Sequence, residues 1–198
     1  MFQTFPLSFI LECKKTLDCQ NLINKRLKCE WSVSISILDL SLLLAILTCS
    51  LSTGFIFTYA VVVMPGFSKL NDKEFVRAFQ VTDGVIQENQ PLFMLTWVGS
   101  IISVLSVIAI SIFSIGLSEA WIIIVVGLIY LLGVQGITIS IHLPLNNHIQ
   151  KIDINNMNNQ SLNEERTKFE MRWNYFNKIR TFIAFSTSLS FLLILIAR

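Results

Sequence analysis

The chain has 198 residues, of which 53% are hydrophobic and 14% are charged. Soluble domains of this length carry about a quarter charged residues, so the composition, with its long apolar runs, indicates a single domain embedded in a lipid bilayer. The formal net charge of +2 is too small, and the basic runs are too short, for nucleic acid to be an expected partner.

Residues 1–35 are predicted to form an N-terminal tail that is disordered or lies at the membrane interface. Its short apolar stretch precedes the basic residues Lys14 and Lys15, which is the reverse of the order in a secretory signal. The cysteines are expected to be free thiols, because their spacing fits no zinc or redox motif. They are Cys13, Cys19, Cys29 and Cys49.

Four apolar runs lie in a predicted membrane domain of residues 36–198, and each is long enough to cross a bilayer. They predict an all-α, four-helix transmembrane bundle. The spans are expected at about residues 37–64, 91–115, 120–142 and 180–197. Two prolines are expected to interrupt these helices, because Pro65 with Gly66 ends the first span and Pro144 breaks or kinks the third.

Two long polar loops, residues 67–90 and 143–180, join these spans on one face of the membrane. In the first loop, an N-cap at Asn71 and apolar residues at helical spacing predict an amphipathic helix along the membrane surface. In the second, Ser161 to Glu164 matches a capping box, so a helix is expected to start there and continue into the last span. The basic residues do not decide which face is cytoplasmic.

Polar and small residues within the spans predict specific helix contacts. Gln135, Thr138 and His142 are spaced i, i+3 and i+7, which puts them on one face of the third helix. Gln135 lies within the membrane, where a polar side chain is expected to face other helices and find a partner. Small residues predict close helix packing at Thr53-Gly54, Gly127, Gly133 and Gly136.

Polar side chains of the two loops can converge, because both loops lie on one membrane face. His142 is the natural general base, since its unperturbed pKa lies near neutrality, although a lone histidine at a helix end also fits a structural role. Arg180 can snorkel to the headgroups, pair with Asp83, or bind an anionic or phenolate group. The candidate substrate-binding residues are Gln80, Asp83, Asn89, Asn146, Asn147, Trp173 and Asn177. No metal site is predicted, because His142 and His148 are six residues apart and no carboxylate cluster completes a ligand set.

Several short motifs occur in a characteristic order along the chain. They are Thr53-Gly54, Met64-Pro65-Gly66, Phe79-Gln80 followed by Gln87, Asn89, Pro91 and Phe93, then Pro144-Leu145-Asn146-Asn147, and finally Trp173, Asn177 and Arg180-Thr181. Together they resemble the DUF1772 family of small four-helix membrane proteins, which is also described as anthrone-oxygenase-like. The resemblance covers residues 40–197 and leaves the N-terminal tail outside.

Most members of that family have no known activity, and some fungal relatives oxidise anthrones to anthraquinones without metal or flavin. The resemblance therefore implies a cofactor-independent oxygenase of anthrone-like or phenolic small molecules. In that reaction His142 removes a proton, and Asn146, Asn177 and Arg180 hold the oxyanion. A non-catalytic scaffold or accessory subunit is the alternative, and transport is disfavoured because no charge pair lies within the membrane.

The expected surroundings follow from the same reasoning. The lipid bilayer is the expected partner, and the expected location is a bacterial cell membrane with multi-pass insertion. A small aromatic substrate and an oligomeric state are both compatible with the sequence.

Overall fold

The computed structural model describes residues 35–198, so the predicted tail and its three cysteines lie outside the described residues. All regular structure in this range is helical. Four helices are long and apolar enough to cross a membrane: α1 (Ile37–Phe67), α3 (Pro91–Ile115), α4 (Leu117–Gln150) and α5 (Asn159–Ala197). A shorter helix, α2 (Asp72–Gln87), lies in the first long loop. The prediction of an all-α transmembrane bundle in an integral membrane protein is confirmed.

The four spanning helices form a ring, in which α1 and α4 each contact both α3 and α5. Ser36 caps α1, because its hydroxyl accepts a hydrogen bond from the Asp39 backbone N–H. The Asp39 carboxylate also accepts a hydrogen bond from Nε of Arg198 at 2.9 Å. The start of α1 therefore lies beside the end of α5, as expected for four consecutive spans.

Two prolines lie within these helices. Pro65 is two residues before the end of α1 at Phe67, close to the predicted end, whereas α4 continues through Pro144, so the predicted break is wrong there and the predicted kink stays a prediction. Five-residue π-helical segments, Tyr59–Val63 and Thr138–His142, finish two residues before Pro65 and Pro144 respectively. Met64 and Leu143, the residues directly before these prolines, donate their backbone N–H groups to the carbonyls of Tyr59 and Thr138, five residues back. A pyrrolidine ring clashes with the carbonyl four residues back in a regular α-helix, and the wider turn relieves that clash. A further π-helical segment, Leu131–Gly136, lies earlier in α4.

The last helix begins earlier than predicted. Asn158 is its N-cap, with Oδ1 accepting the Ser161 N–H at 2.8 Å, so the predicted capping box lies inside the first turns. Asparagine is among the strongest N-cap residues, and this start adds three helical residues before the buried Leu162. The predicted continuous path into the last span is confirmed by the 39-residue length of α5.

Close helix packing is confirmed at two of the predicted glycines. A Cβ on Gly127 would stand 2.7 Å from Cδ1 of Ile108, and one on Gly133 would stand 2.9 Å from Cδ1 of Ile183. These glycines therefore let α4 approach α3 and α5 closely. The prediction is wrong at Gly54, which faces outward with nothing within 4 Å of the Cβ position, although the adjacent Thr53 is buried with Oγ1 3.4 Å from Oγ of Ser188. It is also wrong at Gly136, where the nearest atom to the Cβ position is the Leu131 carbonyl oxygen of the same helix, at 3.7 Å.

α2 covers one end of the bundle. Asn71 is its N-cap, as predicted, and its inner face packs against α5 and the last turns of α4. That inner face consists of Phe75, Val76, Phe79 and Asp83. Arg166 of α5 holds the start of α2, because its Nη1 donates to the Leu70 carbonyl and to Oδ1 of Asp72, each at 2.8 Å. The helix is thus fixed to the bundle by both apolar and charged contacts.

Candidate active site

A cavity of about 540 Å³ lies between the apolar core of the bundle and the aromatic cluster beneath α2. All five helices contribute to its wall. The α1 and α3 sides are mostly apolar, whereas α4 contributes a column of four polar side chains: Gln135, Thr138, His142 and Asn146. The predicted common face of the first three is therefore confirmed. Pockets of about 300–1,000 Å³ suit compact organic ligands, so the cavity has the size of a small-molecule site.

Arg180 lies on the cavity wall and is only 7% exposed. Its Nε donates to Oδ1 of Asn177 at 2.8 Å, and its Nη1 donates to Oγ1 of Thr138 at 3.1 Å. Within residues 35–198 it pairs with no carboxylate, so it neither pairs with Asp83 nor snorkels to the surface. A buried cation without a counterion is unfavourable, and the position therefore favours an anionic ligand.

His142 also lies on the wall, and neither of its ring nitrogens has a hydrogen-bond partner among the described residues. Its ring meets Trp173 edge to face, with the ring centroids 4.9 Å apart. The guanidinium carbon of Arg180 lies 5.6 Å from the centroid of the same indole. Buried polar atoms are rarely left unpaired, so a histidine with two free nitrogens at a cavity is a candidate ligand-binding or proton-accepting group.

A hydrogen-bonded chain joins α2, α4 and α5 beside these two residues. Nε1 of Trp173 donates to Oδ1 of Asn146 at 3.0 Å, and Nδ2 of Asn146 donates to Oδ1 of Asp83 at 2.7 Å. The other carboxylate oxygen of Asp83 accepts from Gln87 at 2.7 Å and from Gln150 at 3.0 Å. This chain fixes the indole against which both His142 and Arg180 pack.

The remaining candidates are divided between the wall and the region behind it. Asn89 lies on the wall, in the link between α2 and α3, where its φ is 59°. Asn177 lies behind Arg180 and donates to the Ile56 carbonyl at 3.3 Å. Gln80 does not line the cavity; its side-chain amide donates to the Ile149 carbonyl in the last turn of α4 and to the Ile152 carbonyl just beyond it. Asn147 is exposed and does not line the cavity either. The residues brought together are thus His142, Arg180, Asp83, Asn89, Asn146 and Trp173.

Several cavity residues were not predicted as site residues. Tyr59 and Trp97 both line the cavity, and the only signal for them is a polar aromatic side chain within an otherwise apolar span. Trp97 donates its Nε1 to Oε1 of Gln135 at 2.7 Å. Gln135 in turn donates to Ser100 and Tyr130, so the expectation that it finds partners inside the bundle is confirmed. In residues 35–198, no group of three His, Cys, Asp or Glu side chains is placed to hold a metal ion.

A family model described as anthrone oxygenase matches residues 90–190, which is half of the chain. The matched segment contains α3, α4 and most of α5, and with them His142, Asn146, Trp173 and Arg180. No curated protein and no solved structure matches the chain.

Proposed function

The chain belongs to the anthrone oxygenase family, and from this premise we propose that it oxidises an anthrone-like or phenolic small molecule with molecular oxygen inside the cavity. The observation that carries the proposal is Arg180, a buried cation on the cavity wall with no carboxylate partner in residues 35–198. A phenolate or enolate oxygen would supply the missing negative charge. Next to it, neither ring nitrogen of His142 has a partner among the described residues, and in the neutral ring one of the two can accept a proton.

The proposed reaction begins at the CH₂ carbon of an anthrone, opposite its carbonyl group. A ring nitrogen of neutral His142 takes one proton from this carbon, and the electron pair of the C–H bond is delocalised onto the carbonyl oxygen as an enolate. Arg180 donates a guanidinium N–H to this oxygen and stabilises the charge that develops there. Both groups are thus used in the one step that generates the anion.

Molecular oxygen is the oxidant in the next step. The carbanion carbon gives its electron pair to O₂, a C–O bond forms, and the resulting peroxide anion takes back the proton from His142. The hydroperoxide then loses its second C–H hydrogen as a proton while the O–O bond breaks and hydroxide leaves, which yields the ketone and water. Overall, CH₂ and O₂ become C=O and H₂O, with four electrons transferred from carbon to oxygen.

The other residues of the site are assigned positioning roles. Asn146 is occupied by Asp83 on one side and Trp173 on the other, so it supports the indole rather than the substrate. Asn177 orients Arg180 by accepting its Nε–H. Pre-organised donors of this kind lower the barrier because they need no rearrangement as charge develops.

The test is oxygen uptake and quinone formation by the purified full chain in lipid nanodiscs, with anthrone as substrate. His142→Gln is expected to lower kcat by about 100-fold or more, the usual contribution of a general base. His148→Gln is the matched control, because His148 is exposed, pairs with Glu165 and lies off the cavity wall, and it should keep the wild-type rate. Equal rates in wild type and His142→Gln would contradict the assigned base. No oxygen uptake with anthrone or phenolic analogues would favour the non-catalytic scaffold.

A further inference from the structure

A row of aromatic rings leads from the surface of the bundle to His142. The ring centroids of Phe93 on α3 and Phe55 on α1 are 4.9 Å apart, and Phe55 lies 5.1 Å from Tyr59. Tyr59 is 5.6 Å from Trp173, which is 4.9 Å from His142. All five rings border the cavity. The row is therefore a continuous aromatic surface that ends at the candidate base.

The outer end of this row lies at a seam between α1 and α3. Leu51, Phe55 and Leu92 border the cavity there and are also 54%, 37% and 70% exposed. All three belong to helices that are apolar enough to cross the membrane, so their outer surfaces face acyl chains. At this seam, the cavity is bordered by apolar side chains that are themselves partly exposed, so the boundary between the cavity and lipid is apolar there.

Opening the cavity would break more hydrogen bonds on the side of α2 than at the seam between α1 and α3. On the side of α2, Asp83 is bonded to amide groups of both α2 and α4, and these charge-assisted hydrogen bonds hold the helices together. At the seam, the Phe55 and Phe93 rings make no hydrogen bond, so they can rotate without leaving a polar group unpaired. The competing route from water passes the exposed residues Gln87 and Asn89.

We propose that Phe55 and Phe93 form a lipid-side portal, through which a flat, uncharged aromatic compound dissolved in the bilayer moves along the aromatic row into the cavity. The proposal rests on the proposed function only for the identity of that compound. Offset and edge-to-face contacts between aromatic rings are favourable at the spacings of this row, so each ring offers the compound a contact as it moves inward. The compound becomes charged only beside His142 and Arg180, and the uncharged quinone can leave by the same path.

The test uses benzophenone, a neutral, lipid-soluble aromatic ketone that inserts into nearby C–H bonds when irradiated. The full chain in phosphatidylcholine vesicles is mixed with the probe, irradiated briefly, and labelling of Met94 on the cavity wall is measured by peptide mass spectrometry. Substituting both portal residues (Phe55→Trp with Phe93→Trp) fills the seam and is expected to reduce early labelling by about tenfold, in the range of association-rate changes among variants. Phe57→Trp is the matched control, because Phe57 is 52% exposed on the same helix but borders no part of the cavity.

A second variant and a membrane-impermeant probe test the portal independently of the double variant. If the double variant does not fold, Phe55→Ala replaces it and is expected to raise early labelling of Met94. A sulfonated, membrane-impermeant benzophenone should label Met94 far more slowly than the neutral probe, and equal rates would assign access to the route past Asn89. Equal labelling by neutral benzophenone in wild type and portal variants, or no labelling inside the cavity, would overturn the portal.

Anthrone oxidation separates this proposal from the proposed function. If anthrone is not oxidised but labelling of Met94 responds to the portal substitutions, the reaction is wrong and the portal stands. If anthrone is oxidised with the same kcat/KM in wild type and portal variants, and labelling is also unchanged, the portal is wrong and the reaction stands.

Discussion

Replacing Arg180 by glutamine is expected to slow the proposed reaction while leaving the fold about as stable as wild type. The guanidinium donates hydrogen bonds to Asn177 and Thr138, and bonds from charged donors contribute about 1.5–3 kcal/mol each. Opposing them is the desolvation of a buried cation that has no carboxylate partner in residues 35–198, which costs several kcal/mol. Because the two terms oppose each other at similar size, we expect the free energy of unfolding to change by no more than about 2 kcal/mol.

The effect on the reaction has no such compensation. The enolate oxygen would lose its charged hydrogen-bond donor, and removing one donor to a developing oxyanion costs about 2.7–4 kcal/mol. That loss corresponds to a decrease in kcat/KM of about 100- to 1,000-fold. Initial rates of quinone formation with anthrone would give kcat/KM, and reversible unfolding in mixed SDS micelles would give the free energy of unfolding.

Arg166→Gln is the matched control, because Arg166 is also an arginine of α5 but lies away from the cavity wall. It pairs with Asp72 at 2.8 Å and with Glu170 at 3.2 Å, so its replacement leaves two carboxylates without their cation. We expect a loss of about 1–3 kcal/mol in stability with kcat/KM unchanged. The opposite pattern, in which Arg180→Gln unfolds more easily and reacts at the wild-type rate, would refute Arg180 as the oxyanion ligand.

Two further substitutions test the packing around the site. Asn146→Leu is expected to lower the free energy of unfolding by about 2–4 kcal/mol, because a buried carboxylate and an indole N–H both lose a partner. Asn147 is exposed, so Asn147→Leu should change the free energy of unfolding by less than about 0.5 kcal/mol. Equal losses in the two variants would show that the hydrogen bonds from Trp173 through Asn146 to Asp83 contribute little to stability. Gly127→Ala is expected to destabilise by about 1–3 kcal/mol, because its new Cβ would stand 2.7 Å from Cδ1 of Ile108. Gly54→Ala should be neutral or stabilising in the same unfolding measurement, and a Gly127→Ala protein as stable as wild type would contradict the close contact between α3 and α4.

The features predicted correctly from the sequence depend on local patterns. Long apolar runs locate the four spans, because a bilayer tolerates few charged residues over about 20 positions. Asn71 marks the start of α2, since a side-chain cap acts within one turn. The common face of Gln135, Thr138 and His142 follows from helical spacing, which the π-helical segments did not disturb enough to separate these side chains.

The features that were missed depend on contacts between distant parts of the chain. The proline ring of Pro144 would clash with a preceding α-helical turn, but the turn before it is the wider π-helical segment Thr138–His142. Nothing in the local sequence indicates that segment. Asp83, Asn146 and Trp173 all lie on the cavity wall, and their predicted role in binding substrate stays a prediction; what the sequence does not show is that they hydrogen-bond to one another and to neighbouring amides. Their partners are decided by how three helices meet, which no spacing along one helix can specify.

The paired arrangement of π-helical segment and proline in α1 and α4 bears on how this protein can change in length. In a regular spanning helix, removing one residue rotates one half against the other by about 100°, which turns a packed face toward lipid. A π-helical segment holds one residue more than the α-helical ladder requires, so a deletion within Tyr59–Val63 or Thr138–His142 can restore an unbroken α-helix. Such a deletion would shift Tyr59 or His142 while the rest of the span keeps its faces. Single-residue insertions and deletions at these two places thus offer a route by which one membrane bundle could gain, lose or reshape a cavity without losing its fold.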